Sequence, residues 1–523
     1  MARRQYCAHT ELGYDVPSML EVSPPPDRAR AVFARSAFAA ECRLWSTQAP
    51  WLLALTALFS VQVYLVSLQL GSVFWPFTDA FEYASMAKWM AAGEGPVLRI
   101  GPAFFPARVP PTLSVLLLPQ ALFDDPRDYW QTIFVFGVAA VLGFWRLARA
   151  LGLGPVGALT AAALLACSPG FASYAGYVMS DVPALALLLL VLGCALRLFR
   201  CAGDARFATG IGAFAGGLLV ALRSTNAVWL VALAAVMPLA VWRGLARNPL
   251  RLVAALALLL APLVAVAFQQ WHSFGSPTAT GYSFWLDSSL FLGSQYVASN
   301  IAFYLLELAG LRSAFLAQPI GFTSDLCALP VAVLGWIGIA RLARSARFDT
   351  AARRILLAAG SGALATFAVF AVVRWRDWRY LMAAAAWLAF GCGALVDESR
   401  ARFGERGAAL FGAWLVIATE LLVLVPLGMH APVDPLIANT VDAEVAALRV
   451  GGDAARIETT RLPLALMAIL APRAVVLIPA REGRVGRDIE FELIRQRNLR
   501  PLRVDPGYQE LWRNLVERRD RAQ

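Results

Sequence analysis

Charge is what this sequence has least of. Charged side chains make up 15% of its 523 residues, hydrophobic ones make up 59%, and the mean hydropathy is +0.61. Soluble domains are about 25% charged, so a set of ordinary soluble domains is excluded. Acids are the scarcer sign, 35 Asp and Glu against 46 Lys and Arg. Only three histidines are present, too scattered for a His-based metal site. Seven cysteines, at 7, 42, 167, 194, 201, 327 and 392, show neither paired nor metal-ligand spacing and mostly fall in or beside apolar runs. They read as small buried hydrophobes without a disulfide framework. No cleavable signal peptide is expected, because the first stretch is polar and basic with a run of Pro24, Pro25 and Pro26.

What is there in quantity is apolar runs of membrane-spanning length. The net charge of +11 comes almost wholly from Arg, in short clusters between those runs. That is the pattern of positively charged inner loops and not of a nucleic-acid surface. Spans are expected at 49–70, 131–148, 156–171, 183–199, 207–222, 227–242, 252–271, 326–340, 355–373, 381–396 and 407–427, roughly eleven in all. Each proposed inner loop carries an Arg cluster, the densest at Arg341, Arg344, Arg347, Arg353 and Arg354. The fold class is therefore a polytopic α-helical membrane protein with a small C-terminal α/β domain on the outer side. The divisions are a cytoplasmic tail at 1–47, a transmembrane domain at 48–428 with large outer loops at 71–130 and 272–325, and an outer domain at 429–523. In that last part, strands at 455–459, 474–478 and 501–504 alternate with helices at 441–450, 462–470, 487–497 and 508–518, which predicts a parallel α/β unit. It has no glycine-rich phosphate loop.

The polar groups gather in the outer loops. Asp79 and Glu82, three residues apart at the start of a helix running to Gly93, share one helix face. They suit a general base with a tuning partner, a shared divalent cation, or a capping box that only satisfies backbone N–H groups. Asp181, before Pro183, reads either as a catalytic acid or, with Ser180, as a helix cap. Arg223 lies between two apolar runs and needs a partner, a phosphate or a helix C-terminus. Arg374, Arg376 and Arg379 place positive charge on the outer side, where insertion rules do not ask for it, and point to anion binding. Arg108 is a further candidate.

Several stretches in order resemble a known family: Asp79-x-x-x-Tyr83 with Gly95 and Pro110-Pro111; Ser168-Pro169 with Met179-Ser180-Asp181-x-Pro183; Gly217 to Thr225; Phe274-Gly-Ser-Pro277 with Gly281-Tyr282; and Arg379-Tyr380-Leu381. Over about 52–396 the chain is similar to the GT-C-type membrane glycosyltransferases, the bacterial branch of protein O-mannosyltransferases and lipid A aminoarabinose transferases. The resemblance implies a bacterial inner-membrane enzyme that moves a sugar from a polyprenyl-phosphate carrier to an acceptor hydroxyl, with inversion; the arginines ahead of the first span and the span count place the N-terminus in the cytoplasm and the C-terminus outside. The resemblance also implies Asp79 as general base, Asp181 as an acid that holds the loop or acceptor, and Arg223, Arg374, Arg376, Arg379 and Arg108 as cations for the departing lipid phosphate. Tyr83, Tyr282 and Tyr380 are the substrate-positioning candidates. Many relatives carry adjacent Asp and Glu in the first loop, whereas here Ala80 follows Asp79, which leaves Glu82 the less defined of the two. No metal or other cofactor is expected to be required. The partners implied are the lipid-linked donor, a glycan, lipid or protein acceptor, and the bilayer, with no nucleic acid. A transporter or flippase of a lipid-linked or small anionic substrate is the main rival; the lack of internal repeats and the scarcity of mid-span polar residues speak against it. A polysaccharide polymerase or ligase and a non-catalytic scaffold are the others.

Overall fold

In the computed structural model the protein is a bundle of helices, described over residues 48–65, 78–100, 103–107, 109–123, 129–201, 205–279, 292–311, 328–344, 348–373, 377–429, 456–458, 475–478, 487–488, 503–504, 509 and 513. Among these residues six helices are long and apolar enough to cross a membrane, or seven if a bent pair counts as one span. Where the expected spans lie within the described residues they fall largely on helices, two of them across a break. The long ones are Gln48–Leu65 (α1), Trp130–Leu151 (α4), Asp181–Arg200 (α7), Pro249–Phe274 (α11), Thr350–Ala371 (α14) and a final stretch Met382–Met429 (α15). Shorter apolar helices Pro155–Ala166 (α5), Arg206–Leu222 (α8) and Leu329–Arg344 (α13) complete the bundle.

Proline and glycine explain where the spans break. The expected span at 156–171 is cut at Cys167. Ser168 then accepts from the N–H of Phe171, and Pro169 opens a new short helix, Pro169–Ala175 (α6). Proline cannot donate back into the preceding turn. The expected span at 227–242 is likewise two helices, Ala227–Val236 (α9) and Leu239–Ala246 (α10), bent by 95°. Pro238 holds Met237 extended, at ψ 128, and stops the first of them. The spans expected at 381–396 and 407–427 join in one helical run with a break at Gly404, which has φ 70.

Close packing uses small residues. A Cβ on Gly391 of α15 would stand 2.2 Å from the carbonyl oxygen of Gly335 on α13, and one on Gly335 2.6 Å from that of Leu388. Hydrocarbon solvates apolar side chains as well as a neighbouring helix does, so backbone approach of this kind is what holds such helices together. Gly391→Val is expected to cost about 1–3 kcal/mol, the range for overpacking. Thermal unfolding in detergent would read this as a lowered midpoint.

The two ends of the bundle differ. At one, Arg200 bonds Asp349 at 2.9 Å and the Ala150 carbonyl at 2.9 Å, Arg354 donates to the Val236 carbonyl at 2.7 Å, and Asp397 accepts from the Gly154 N–H at 2.9 Å. At the other lie the N-terminus of α7 and the C-termini of α8 and α14, which receive the first loop. That loop folds as helix Thr78–Ala91 (α2), a hairpin of Val97–Ile100 (β1) and Ala103–Pro106 (β2), and helix Thr112–Ala121 (α3). The hairpin has no counterpart in the sequence reading. The second loop contributes helix Val297–Ala309 (α12), whose Asn300 amide donates to the carbonyls of Phe370, Ala371 and Val373 and so closes the C-terminus of α14.

The tail differs from expectation in two ways. Strands Arg456–Glu458 (β3) and Val475–Ile478 (β4) pair in parallel, as the alternation predicts. The third strand of that sheet, however, is Arg487–Asp488 (β5), antiparallel, where a helix was expected to begin. Arg503–Val504 (β6) leaves this sheet and pairs antiparallel with β2 of the first loop. The unit is therefore mixed, and the tail is stitched to the loop by main-chain hydrogen bonds, which any side-chain pattern satisfies. The expected helices at 441–450 and 462–470 lie outside the described residues, and so does nearly all of that at 508–518.

Candidate active site

Helix α2 starts at Thr78, so Asp79 lies inside its first turn and not at the capping position before it. Its carboxylate is 3.7 Å from a terminal nitrogen of Arg379, an ion pair longer than a hydrogen bond. Arg379 belongs to the short 3-10 turn Trp378–Leu381 that precedes α15. Its Nε is 3.2 Å from Asp377, whose other oxygen accepts from the backbone N–H of Arg379 at 3.0 Å. The hydroxyl of Tyr174, on α6, also donates to the Asp377 carboxylate, at 3.2 and 3.3 Å.

Arg223 follows the last turn of α8 with an extended backbone. The sequence offered it a phosphate or a helix terminus, and the structure gives it a carboxylate: its terminal nitrogen lies 2.6 Å from Asp181. The Asp181 side chain is 2% exposed. A carboxylate so far from water needs a cation, which is why this contact prevails over the cap. Ser180 does stand before α7, but its hydroxyl caps nothing; it takes the hydroxyl of Tyr83 at 3.4 Å instead. Tyr83 is fixed from behind, its carbonyl accepting from Ser114 at 2.8 Å, while Thr112 bonds the Ala221 carbonyl at 2.8 Å and ties α3 to the end of α8.

Both arginines approach Tyr380, with the Arg223 and Arg379 guanidinium carbons 5.3 and 5.2 Å from its ring centroid. Phe370 stacks on the same ring. Asp79, Tyr83, Asp181, Arg223, Arg379 and Tyr380 are thus brought into one cluster. Glu82, one turn beyond Asp79, is buried. Arg108, Arg374, Arg376 and Tyr282 lie outside the described residues. Sequence reading missed Asp377 and Tyr174. Asp377 carried a signal, an acid two residues before Arg379 in a turn, whereas Tyr174 reads only as one more aromatic in an apolar run. Among the described residues no three His, Cys, Asp or Glu side chains group as a metal site.

Burial and neighbouring acids set the protonation of the cluster. Burial, with Asp79 next, pushes the Tyr83 phenol well above its ordinary range, and burial with Asp377 does the same to Tyr174. Both stay protonated and act as donors. Burial raises the Asp377 carboxyl, with the Arg379 charge and N–H opposing it. Burial works against the charge on Arg223, but Asp181 and its neighbours outweigh it and hold the guanidinium protonated.

A small open pocket lies beside the cluster, with about 40 Å³ of room inside it. Asp181, Arg223, Thr225, Asn226, Thr366, Arg379 and Tyr380 are its polar lining. Ala184, Leu185 and Leu188 continue it down α7 on the face that begins at Asp181. At 1.5 Å per residue that face runs about 10 Å along the helix. The site therefore has a charged head and an apolar slot.

No protein-family model matches the chain, and no curated protein does. Among solved structures it is similar to ArnT from Cupriavidus metallidurans in the apo state, with 18% identity over 82% of this chain and 75% of that one, at a TM-score of 0.49. The same protein bound to undecaprenyl phosphate gives 17% identity, 81% and 74% coverage, and 0.49. The Archaeoglobus fulgidus oligosaccharyltransferase in the apo form gives 14%, 81% and 64%, and 0.47. No residue role passes from them to this chain.

Proposed function

We propose that the chain is a membrane glycosyltransferase that takes a monosaccharide from a polyprenyl-phosphate carrier at the outer face of the bacterial inner membrane. The observation that carries this reading is the cavity with two arginines and Tyr380 at its head and the apolar face of α7 below them. An amphiphile with an anionic head and an isoprenoid chain fits that division. Asp79 reaches the same head from the first loop through Arg379.

In this reading Asp79 takes the proton of the acceptor hydroxyl as its oxygen attacks the anomeric carbon. The bond from that carbon to the phosphate oxygen breaks, its electron pair leaves with the lipid phosphate, and the configuration inverts. Arg379 and Arg223 meet the negative charge that gathers on the departing oxygen, as charge fixed in advance does best. Asp181 keeps Arg223 in place, and Tyr83 and Tyr380 line the approach. The N-terminus is cytoplasmic, and the 429–523 region lies outside, where its strand β6 joins the first loop.

The test is a transfer assay on the purified full chain, with radiolabelled polyprenyl-phosphate sugars as donors and a membrane extract as acceptor. Label is expected to move from the lipid to the extract. Lipid-linked label that crosses proteoliposomes without transfer would replace this reading with transport.

A further inference from the structure

Asp377 and Tyr174 make polar contacts beside the site that the chemistry above does not use. Tyr174 is 1% exposed on α6, and its hydroxyl donates to both oxygens of Asp377. Asp377 in turn accepts the Arg379 N–H at 3.0 Å and lies 3.2 Å from the Arg379 Nε. One carboxylate thus grips both the backbone and the inner edge of the guanidinium, and leaves a terminal nitrogen to reach toward Asp79 and Tyr380. The turn is seated by shape as well. Trp378 meets the Tyr174 ring edge-on at a centroid distance of 4.7 Å, and a Cβ on Gly170 would come within 2.4 Å of the Trp378 ring. Only glycine at 170 lets the turn settle this deeply on α6. Burial pushes the Asp377 carboxyl up, and the Arg379 charge, its backbone N–H and the Tyr174 hydroxyl oppose that push.

We infer that Tyr174 and Asp377 are positioning residues: together they aim the Arg379 guanidinium at the phosphate head of the lipid donor. The inference rests on the donor class proposed above. It makes a prediction that plain electrostatics contradicts. Asp377 is an anion beside an anion site, so removing its charge would tighten phosphate binding if charge were all that mattered. If Asp377 aims Arg379, removing it loosens binding.

The experiment measures affinity of the full chain, in detergent, for farnesyl phosphate, a soluble short-chain polyprenyl phosphate, by calorimetry. This readout does not depend on finding the right sugar or acceptor. Tyr174→Phe keeps the ring against Trp378 and changes no charge. It is expected to weaken binding by about threefold to tenfold, the net share of one typical hydrogen bond. Asp377→Asn is expected to weaken it by at least as much, and Gly170→Ala to weaken it by lifting the turn. None of the three is expected to weaken it further in an Arg379→Ala background, because a positioning residue acts only through the group it positions. Unchanged affinity in Tyr174→Phe overturns the inference. So does tighter binding in Asp377→Asn, an equal loss in the Arg379→Ala background, or no binding by the wild type. A protein that binds farnesyl phosphate with these responses yet moves no label keeps the positioning and loses the transferase reading.

Discussion

Asp79→Asn is expected to lower sugar transfer by about 10²–10⁴-fold, the contribution of a positioned general base, while the protein folds as before. The substitution keeps the size of the side chain and an oxygen that accepts hydrogen bonds in the first turn of α2. It removes the basicity and the attraction to Arg379, which at 3.7 Å is an ion pair and not a hydrogen bond. The stability change is expected to stay small, because this contact is looser than the one between Arg223 and Asp181. Initial rates on the labelled donor, set beside thermal unfolding in detergent, separate the two quantities. An Asn variant that transfers within a few-fold of wild type would leave Asp79 a structural acid. The base would then be sought at Glu82 or Asp181, by Glu82→Gln and Asp181→Asn in the same assay.

Arg223→Ala is expected to be among the most destabilising single changes at the site, by about 3–5 kcal/mol, as when one partner of a buried ion pair is removed. The Asp181 side chain is 2% exposed, and Arg223, at 2.6 Å, supplies its neutralising charge. Without the guanidinium a carboxylate is stranded beside Tyr83, Ser180 and the start of α7. Adding Asp181→Asn removes that stranded charge, so the double variant is expected to regain most of the lost unfolding midpoint. Transfer is not expected to return with it, because the cation for the departing phosphate stays missing. Recovery of both stability and transfer would show that Arg223 serves Asp181 alone. No loss of stability in the single variant would show that the pair is not buried in the membrane-embedded protein.

The third and fourth predictions, on Gly391 and on Tyr174 with Asp377, test contacts that no local pattern announces. The Arg clusters, the membrane-length apolar helices and the acids between them were legible because each is a local property. Twenty apolar residues must be helical in hydrocarbon wherever they stand in the chain, and arginines mark the ends that stay inside. Prolines 169 and 238 were legible too, as residues that cannot continue a helix, yet reading runs of hydropathy alone carried two expected spans straight through such breaks. Hydropathy counts apolar side chains, whereas a helix ends where an N–H is missing.

The sequence by itself determined that this protein is built of membrane-length helices, which ends of them carry positive charge, and that its few acids and arginines between the apolar runs are the groups to examine. Only the tertiary structure decided which acid meets which arginine. Arg223 could have faced a phosphate or a helix end, and it faces Asp181, 42 positions away in the chain. Asp377, with no assigned part in the sequence, meets a tyrosine 203 positions away and takes hold of Arg379. Strand β6 likewise leaves its own sheet for the first loop. The reason is the same in each case. Membrane insertion is governed by the sum of side-chain transfer energies along a segment. An ion pair or a strand pairing is governed by the distance between groups that only packing brings together.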